Sequence, residues 1–160
     1  MEKQKAKAPS DSSVESRYLV MPQHANQYGT IFGGIIVAWV DMVASMAAQK
    51  HCGKEVVTVA IDSLSFREPV YIGEQVVVKA AVNYVGRTSM EVGVEVIRVE
   101  PASGKESLAT IAFLTFVALD KNKKPTIVAA IVPGTSEEKK RYNEAQVRVQ
   151  ARKKLLKEQK

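Results

Sequence analysis

Among 160 residues there is one cysteine, Cys52, and there are two histidines, His24 and His51. A single thiol closes no internal disulfide, and with two scattered imidazoles it does not furnish the convergent ligands of a zinc centre. Neither a disulfide framework, a metal nor a cofactor is therefore expected, and a reducing cytoplasm suits the thiol. Aromatic residues are 6% of the chain, with no basic-plus-aromatic pattern of the kind that stacks bases, so nucleic acid is not an expected partner. No G-x-S-x-G elbow occurs, which argues against a serine nucleophile. The first residues, MEKQKAKAPSDSSVES, lack the apolar core of a signal peptide. Residues 1–15 are expected to form a mobile arm.

What is present is ordinary for one folded domain: 46% hydrophobic and 25% charged residues. The net charge of +6 is unevenly placed. Residues 18–136 hold ten basic and ten acidic side chains, whereas residues 137–160 hold nine basic and four acidic ones. The central region is balanced and the excess lies at the C-terminus. A solvated basic helix accounts for it, as does a patch beside an anionic ligand.

Residues 16–21 read as a short strand stopped by Pro22, and residues 22–31 as a loop. The stretch FGGIIVAWVDMVASMAAQKH, residues 32–51, reads as a helix. Lys50 and His51 suit the negative end of its dipole, and Gly53 is placed as a C-cap. The period then changes to two: residues 56–66, 75–85, 90–100 and 106–119 are rich in Val, Ile, Thr and Phe. Hairpin turns at 86–89 and 101–104 favour antiparallel pairing. Residues 136–160 read as a polar helix capped by Ser136, with so few apolar residues that it packs weakly or at an interface. The class is α+β.

The helix over 32–51 is apolar nearly all round, as expected of one wrapped by a sheet or crossing a membrane. Its uninterrupted apolar run is only about half of the roughly 20 residues needed to span. Asp41 also stands in its middle, at a membrane cost of about 2.5–3.5 kcal/mol. No membrane insertion is expected, and a curved sheet is the better cover.

Asp41 is the most informative position. An unpaired carboxylate in an apolar helix carries a large desolvation cost, and the helix offers it no cation one turn away. Its one polar neighbour at helical spacing is Ser45, suited to orienting Asp41 or to close packing. The residue is either functional, or paired with a distant cation, or placed at a subunit interface. Gly33 and Gly34 open the same helix, where free N–H groups carry partial positive charge and the missing Cβ lets a ligand atom approach, as an oxyanion hole requires. Relief of crowding against the sheet is the other explanation for them.

The run Asn26-Gln-Tyr-Gly29-Thr-Ile-Phe-Gly33-Gly34, with Asp41 seven residues on, resembles the signature of the hotdog-fold acyl-CoA thioesterases, both the short bacterial YciA-like members and the animal tandem ones. Thr58 within Val57–Ala60, Asp62-Ser63, Phe66, Pro69, the segment 85–92 with Arg87, Thr88 and Ser89, and the run 113–120 extend it over roughly residues 16–135. The resemblance implies a long helix wrapped by a five- or six-stranded antiparallel sheet, with residues 136–160 an appended basic helix. It implies homodimers with continuous sheets, two sites per interface, and assembly as a trimer of dimers, a homohexamer.

The resemblance further implies that Asp41 is the catalytic base or nucleophile and that Asn26, from the partner subunit, positions water or the thioester. The N–H near Gly34 is then the oxyanion donor. Gly33, Thr58, Ser63, Arg87, Thr88 and Ser89 are expected to lie against the substrate or its CoA part, and Trp39, Val43 and Met46 along the acyl chain. Many relatives have His where this chain has Phe32, so the backbone must do more of the polarisation; His24 carries no assigned role. The expected activity is hydrolysis of fatty acyl-CoA. The rivals are a non-catalytic acyl-CoA binder and an acyl-thioester hydratase or dehydratase, which needs a His–acid pair that the helix does not supply.

Overall fold

A computed structural model describes residues 4–160. Five strands, β1 (Val14–Leu19), β2 (Glu55–Phe66), β3 (Gln75–Val85), β4 (Ser89–Val99) and β5 (Glu106–Leu119), form one antiparallel sheet in the order β1-β3-β4-β5-β2. Helix α1 (Gly33–Cys52) lies in its concave face and α2 (Ser136–Glu158) follows at the C-terminus. The α+β class and the hotdog architecture expected from the sequence are borne out.

Period-two patterning positions the core. On β4, Met90, Val92, Val94 and Val96 are buried, as are Ala112, Leu114 and Phe116 of β5 opposite them. These meet Ile36, Val40, Val43, Ala44 and Ala47 of α1. At roughly 25 cal/mol per Å² of apolar surface removed from water, this seam is the main stabilising term. Gly53 ends α1 at φ +63°, a left-handed turn that a side chain disfavours.

Helix α1 is not covered all round. Gly34, Ala38, Met42 and Met46, four residues apart, form an exposed stripe. The sheet wraps one side, and the other faces the free edge of β2, which pairs with β5 alone. Val57, Val59, Ile61 and Phe66 are exposed along that strand, an unpaired apolar edge of the kind that soluble proteins normally cover.

Two expectations about the termini are corrected. Residues 7–13 are a packed segment and no free arm: Lys7 bridges Ile131, and a short 3-10 turn spans Pro9–Ser12. The fully buried Ser12 hydroxyl donates to Pro9 O and accepts from Val82 N. Composition had shown no apolar anchor there, and backbone and hydroxyl hydrogen bonds supply it instead. At the other end Thr135, not Ser136, caps α2. Its hydroxyl accepts from Glu138 N at 3.1 Å while the Glu138 carboxylate accepts from Thr135 N, a reciprocal capping box.

Helix α2 packs on the convex face through arginines. Arg141 reaches Glu95, Arg148 grips Glu91 with two nitrogens at 2.7 and 3.1 Å, and Arg152 lies 3.5 Å from Asp62. Glu91 is only 3% exposed, and the Arg148 guanidinium also lies 3.7 Å from the centre of the Phe113 ring. Weak packing was expected because few of these residues are apolar; Ala145 and Val149 are nevertheless buried and Tyr142 packs on Tyr84, and the ion pairs and arginine stems add to these contacts.

Candidate active site

Asp41 sits midway along α1, on the margin of the open stripe, and is partly exposed. Thr58 of β2 donates its hydroxyl proton to Asp41 Oδ1 at 2.7 Å. Among the described residues no lysine, arginine or histidine pairs with Asp41, so the carboxylate keeps its second oxygen free. Ser45 takes no part, since its hydroxyl donates back to Met42 O at 2.7 Å.

Thr58 reaches α1 because β2 is irregular. Register shifts between Thr58 and Ala60 and between Ile61 and Ser63 make Val59 and Asp62 extra residues opposite β5. Such bulges bend a strand and redirect its side chains. Thr58 pairs with the core residue Phe116, and so faces α1.

The N-terminus of α1 lies about two turns before Asp41 on the same helix. Phe32 precedes it without a side-chain cap, and among the described residues no acceptor is found for the N–H groups of Gly33 and Gly34. A Cβ on Gly34 would meet the Phe32 ring at 2.5 Å, and one on Gly33 the Phe66 ring at 3.3 Å. Here the absent side chains keep free donors accessible. A cavity of about 370 Å³ adjoins the same end, lined by Thr30, Gly33, Ile36, Phe66 and Val70 among others. A larger cleft, about 850 Å³, lies between α2 and the convex face and touches none of Asp41, Thr58 or Gly34.

Asn26 is held in a tight turn. Its side-chain oxygen accepts from Tyr28 N at 2.9 Å and Thr30 N at 3.3 Å, and its amide nitrogen donates to the Thr30 hydroxyl at 2.9 Å. No hydrogen bond joins Asn26 to Asp41 within the protomer, among the described residues. His24 organises the same loop: Nδ1 accepts from Met21 N at 3.0 Å, and the ring stands edge-on to Trp39.

The remaining expected residues divide between the two faces. Ser89 pairs with Val117, which pairs with Val57, so the turn carrying Arg87 and Thr88 lies at the Thr58 end of the sheet. Arg87 is exposed there. Ser63 pairs with Phe113 and so faces the convex side, away from Asp41. Trp39 and Val43 are core: Trp39 stacks on Tyr18 at 4.2 Å and Val43 is fully buried, so only Met46 lies on the open stripe. Sequence reasoning passed over the two bulges that redirect β2 and the Asp62–Arg152 contact; bulges leave no reliable periodic trace.

The site thus gathers a carboxylate with no cation paired to it among the described residues, a hydroxyl that donates to it, and a helix N-terminus without a side-chain cap. Their carrier, an antiparallel sheet wrapped on one helix, defines the fold as the hotdog. The model of the thioesterase superfamily matches residues 28–105. An uncharacterised acyl-CoA thioester hydrolase of Bacillus subtilis is 39% identical over 153 residues, covering 96% of this chain and 89% of its own length. The acyl-CoA hydrolase of Staphylococcus aureus, solved with butyryl-CoA and CoA, superposes with a TM-score of 0.91 at 38% identity, covering 96% of this chain and 94% of that one. Structures of that enzyme with alanine in place of one aspartate, one asparagine and one threonine are also known. An apo-hexameric acyl-CoA thioesterase gives a TM-score of 0.92 at 38% identity over 95% of this chain and 97% of its own. The chain belongs to the thioesterase superfamily, among its hotdog-fold acyl-CoA hydrolases. Among the described residues no helix is long and apolar enough to cross a membrane.

Proposed function

We propose that this chain hydrolyses fatty acyl-CoA to the free acid and CoA, with Asp41 as general base, Thr58 and Asn26 as positioning groups and the N–H of Gly34 as oxyanion donor. The observation that carries the reading is the Asp41 carboxylate itself, tied to one hydroxyl and, among the described residues, to no cation. The replaced asparagine, aspartate and threonine of the S. aureus enzyme are separated by 15 and 17 residues. Asn26, Asp41 and Thr58 have the same two spacings.

In this scheme the free Asp41 oxygen takes a proton from water as its oxygen bonds to the thioester carbon. The charge on the carbonyl oxygen meets the dipole of α1 at Gly34, and collapse expels the CoA thiolate, which recovers the proton from Asp41. A positioned base is worth about 10²–10⁴-fold in rate, and an oxyanion donor about 2.7–4 kcal/mol. No metal or cofactor has a part in these steps.

Two copies joined along the β2 edge would cover the exposed Val57, Val59 and Ile61 and bring the Asn26 loop of one subunit to the Asp41 of the other. Three such dimers make the hexamer we propose. Arg87 and Thr88 at the Thr58 end, with Ser89, are positioned to receive the CoA part, and Thr58 and Gly33 the thioester; Ser63, on the other face, would need a neighbouring subunit to meet substrate. A cytoplasmic location accords with the one buried cysteine.

The test is thiol release from a panel of acyl-CoAs by the wild-type chain and by Asp41→Ala and Asn26→Ala. Hydrolysis lost in both, with the oligomer intact, supports the reading; hydrolysis kept in Asp41→Ala refutes it. In single-turnover hydrolysis in ¹⁸O-water a general base leaves Asp41 unlabelled, whereas label in the Asp41 carboxylate marks an acyl-aspartyl anhydride opened at the aspartyl carbonyl.

A further inference from the structure

Asp62 lies four residues after Thr58 on β2. In a regular strand, residues an even number apart share a face. Here they do not: Thr58 turns inward to Asp41, whereas Asp62 turns outward, accepting the Thr115 hydroxyl proton at 2.6 Å and lying 3.5 Å from Arg152 Nε of α2. The bulge at Val59 inverts the alternation between them, and the second bulge, at Asp62, restores it, so that Leu64 faces the core again. A one-residue slip of β2 would carry Thr58 off Asp41.

Something must therefore hold the bulged frame, and β2 is a poor candidate to hold itself. Within the protomer β5 is its one neighbour, and the backbone ladder to β5 is interrupted at both bulges. The Asp62 side chain, 18% exposed, is held at the second bulge between a hydroxyl of β5 and, at 3.5 Å, a guanidinium of α2.

We infer that Asp62, gripped by Arg152 and Thr115, is a positioning residue for hydrolysis: it locks the bulged register of β2 from the convex face so that Thr58 meets Asp41 on the concave face. The helix α2 thereby acts on a site it does not touch. The inference rests on the proposed role of Asp41 and Thr58 and adds a function for the C-terminal helix.

The experiment compares Arg152→Ala, Arg152→Lys and Asp62→Asn in the full-length oligomer, alone and combined with Thr58→Val, with kcat and KM for acyl-CoA read separately. Arg152→Ala and Asp62→Asn are expected to lower kcat by about 5–10-fold with KM unchanged, and Arg152→Lys to keep most of the wild-type rate. In the Thr58→Val background the Arg152→Ala loss should vanish, because a latch with nothing to position has no further effect. Losses that multiply across Thr58→Val overturn the inference, since they mark general destabilisation. So does an Arg152→Ala variant with wild-type kcat. If Asp41→Ala is itself active, the reading of the site fails and the latch with it; if Asp41→Ala is dead and Arg152→Ala is unaltered, the latch alone fails.

Discussion

The Thr58 hydroxyl donates to Asp41 Oδ1 at 2.7 Å, joining the middle of α1 to the free edge of the sheet. One carboxylate oxygen is thus fixed and the other left for water. Replacing Thr58 by Val keeps the shape and removes the donor. A hydrogen bond to a charged group is worth about 1.5–3 kcal/mol, and each ~1.4 kcal/mol is tenfold in rate. Steady-state kinetics of Thr58→Val should therefore show kcat lower by about 10–100-fold, with KM little altered.

A methyl group at Gly34 tests the oxyanion donor without removing it. The added Cβ would meet the Phe32 ring at 2.5 Å, and that ring is 58% exposed, with solvent to turn into. Alanine is also the better helix former, by roughly 0.5–1 kcal/mol in a helix interior. Gly34→Ala should melt no lower than the wild type while kcat falls. A variant with full activity would remove Gly34 from the site.

Helix α2 is held by its arginines together with the buried Ala145 and Val149. Deleting one partner of a buried ion pair costs about 3–5 kcal/mol; the Arg148 side chain keeps 27% exposure, which reduces the expected cost to about 1–3 kcal/mol. Urea unfolding of Arg148→Ala should show that loss. Adding Glu91→Gln should recover part of it by neutralising the stranded carboxylate.

His51 makes stability depend on pH. Its ring is almost fully buried, with Nε2 at 2.8 Å from Ala129 O and, among the described residues, no partner for Nδ1. Burial, the largest influence, and the nearby Lys7 charge lower its pKa below the ordinary 6.5, against the opposing effects of the Ala129 carbonyl and Asp11. The unfolded chain takes up a proton near 6.5, the folded chain only at lower pH. The stabilisation is complete above 6.5 and is lost as pH falls from there through the folded value. Melting temperatures between pH 8 and pH 5 should decline below 6.5 in the wild type, and decline less in His51→Gln. Parallel curves would show that His51 has no part.

Much of this was legible in the chain. Strands β2 to β5 and α1 fall within a residue or so of where period and caps place them, because each carries a long run of one period, the hairpin turns lie between them, and Gly53 marks a helix end. Asp41 stood out because a carboxylate in an apolar helix is costly. That argument took α1 to be covered all round; the structure leaves one side open, so Asp41 is partly exposed rather than buried. Asn26 came from family likeness, since a loop amide carries little physical signal alone, and the Gly33-Gly34 pair at a helix start gave only a weak one. The packed residues 7–13 and the arginine-held α2 were not legible, because polar pairings between distant segments leave no periodicity.

The central claim is that the Asp41 carboxylate carries the hydrolysis. The most direct measurement is the rate of CoA thiol release by Asp41→Ala at saturating acyl-CoA, beside gel filtration showing the wild-type assembly. A fall in kcat of at least about 100-fold is predicted; a correctly assembled Asp41→Ala that releases thiol at the wild-type rate would contradict the account.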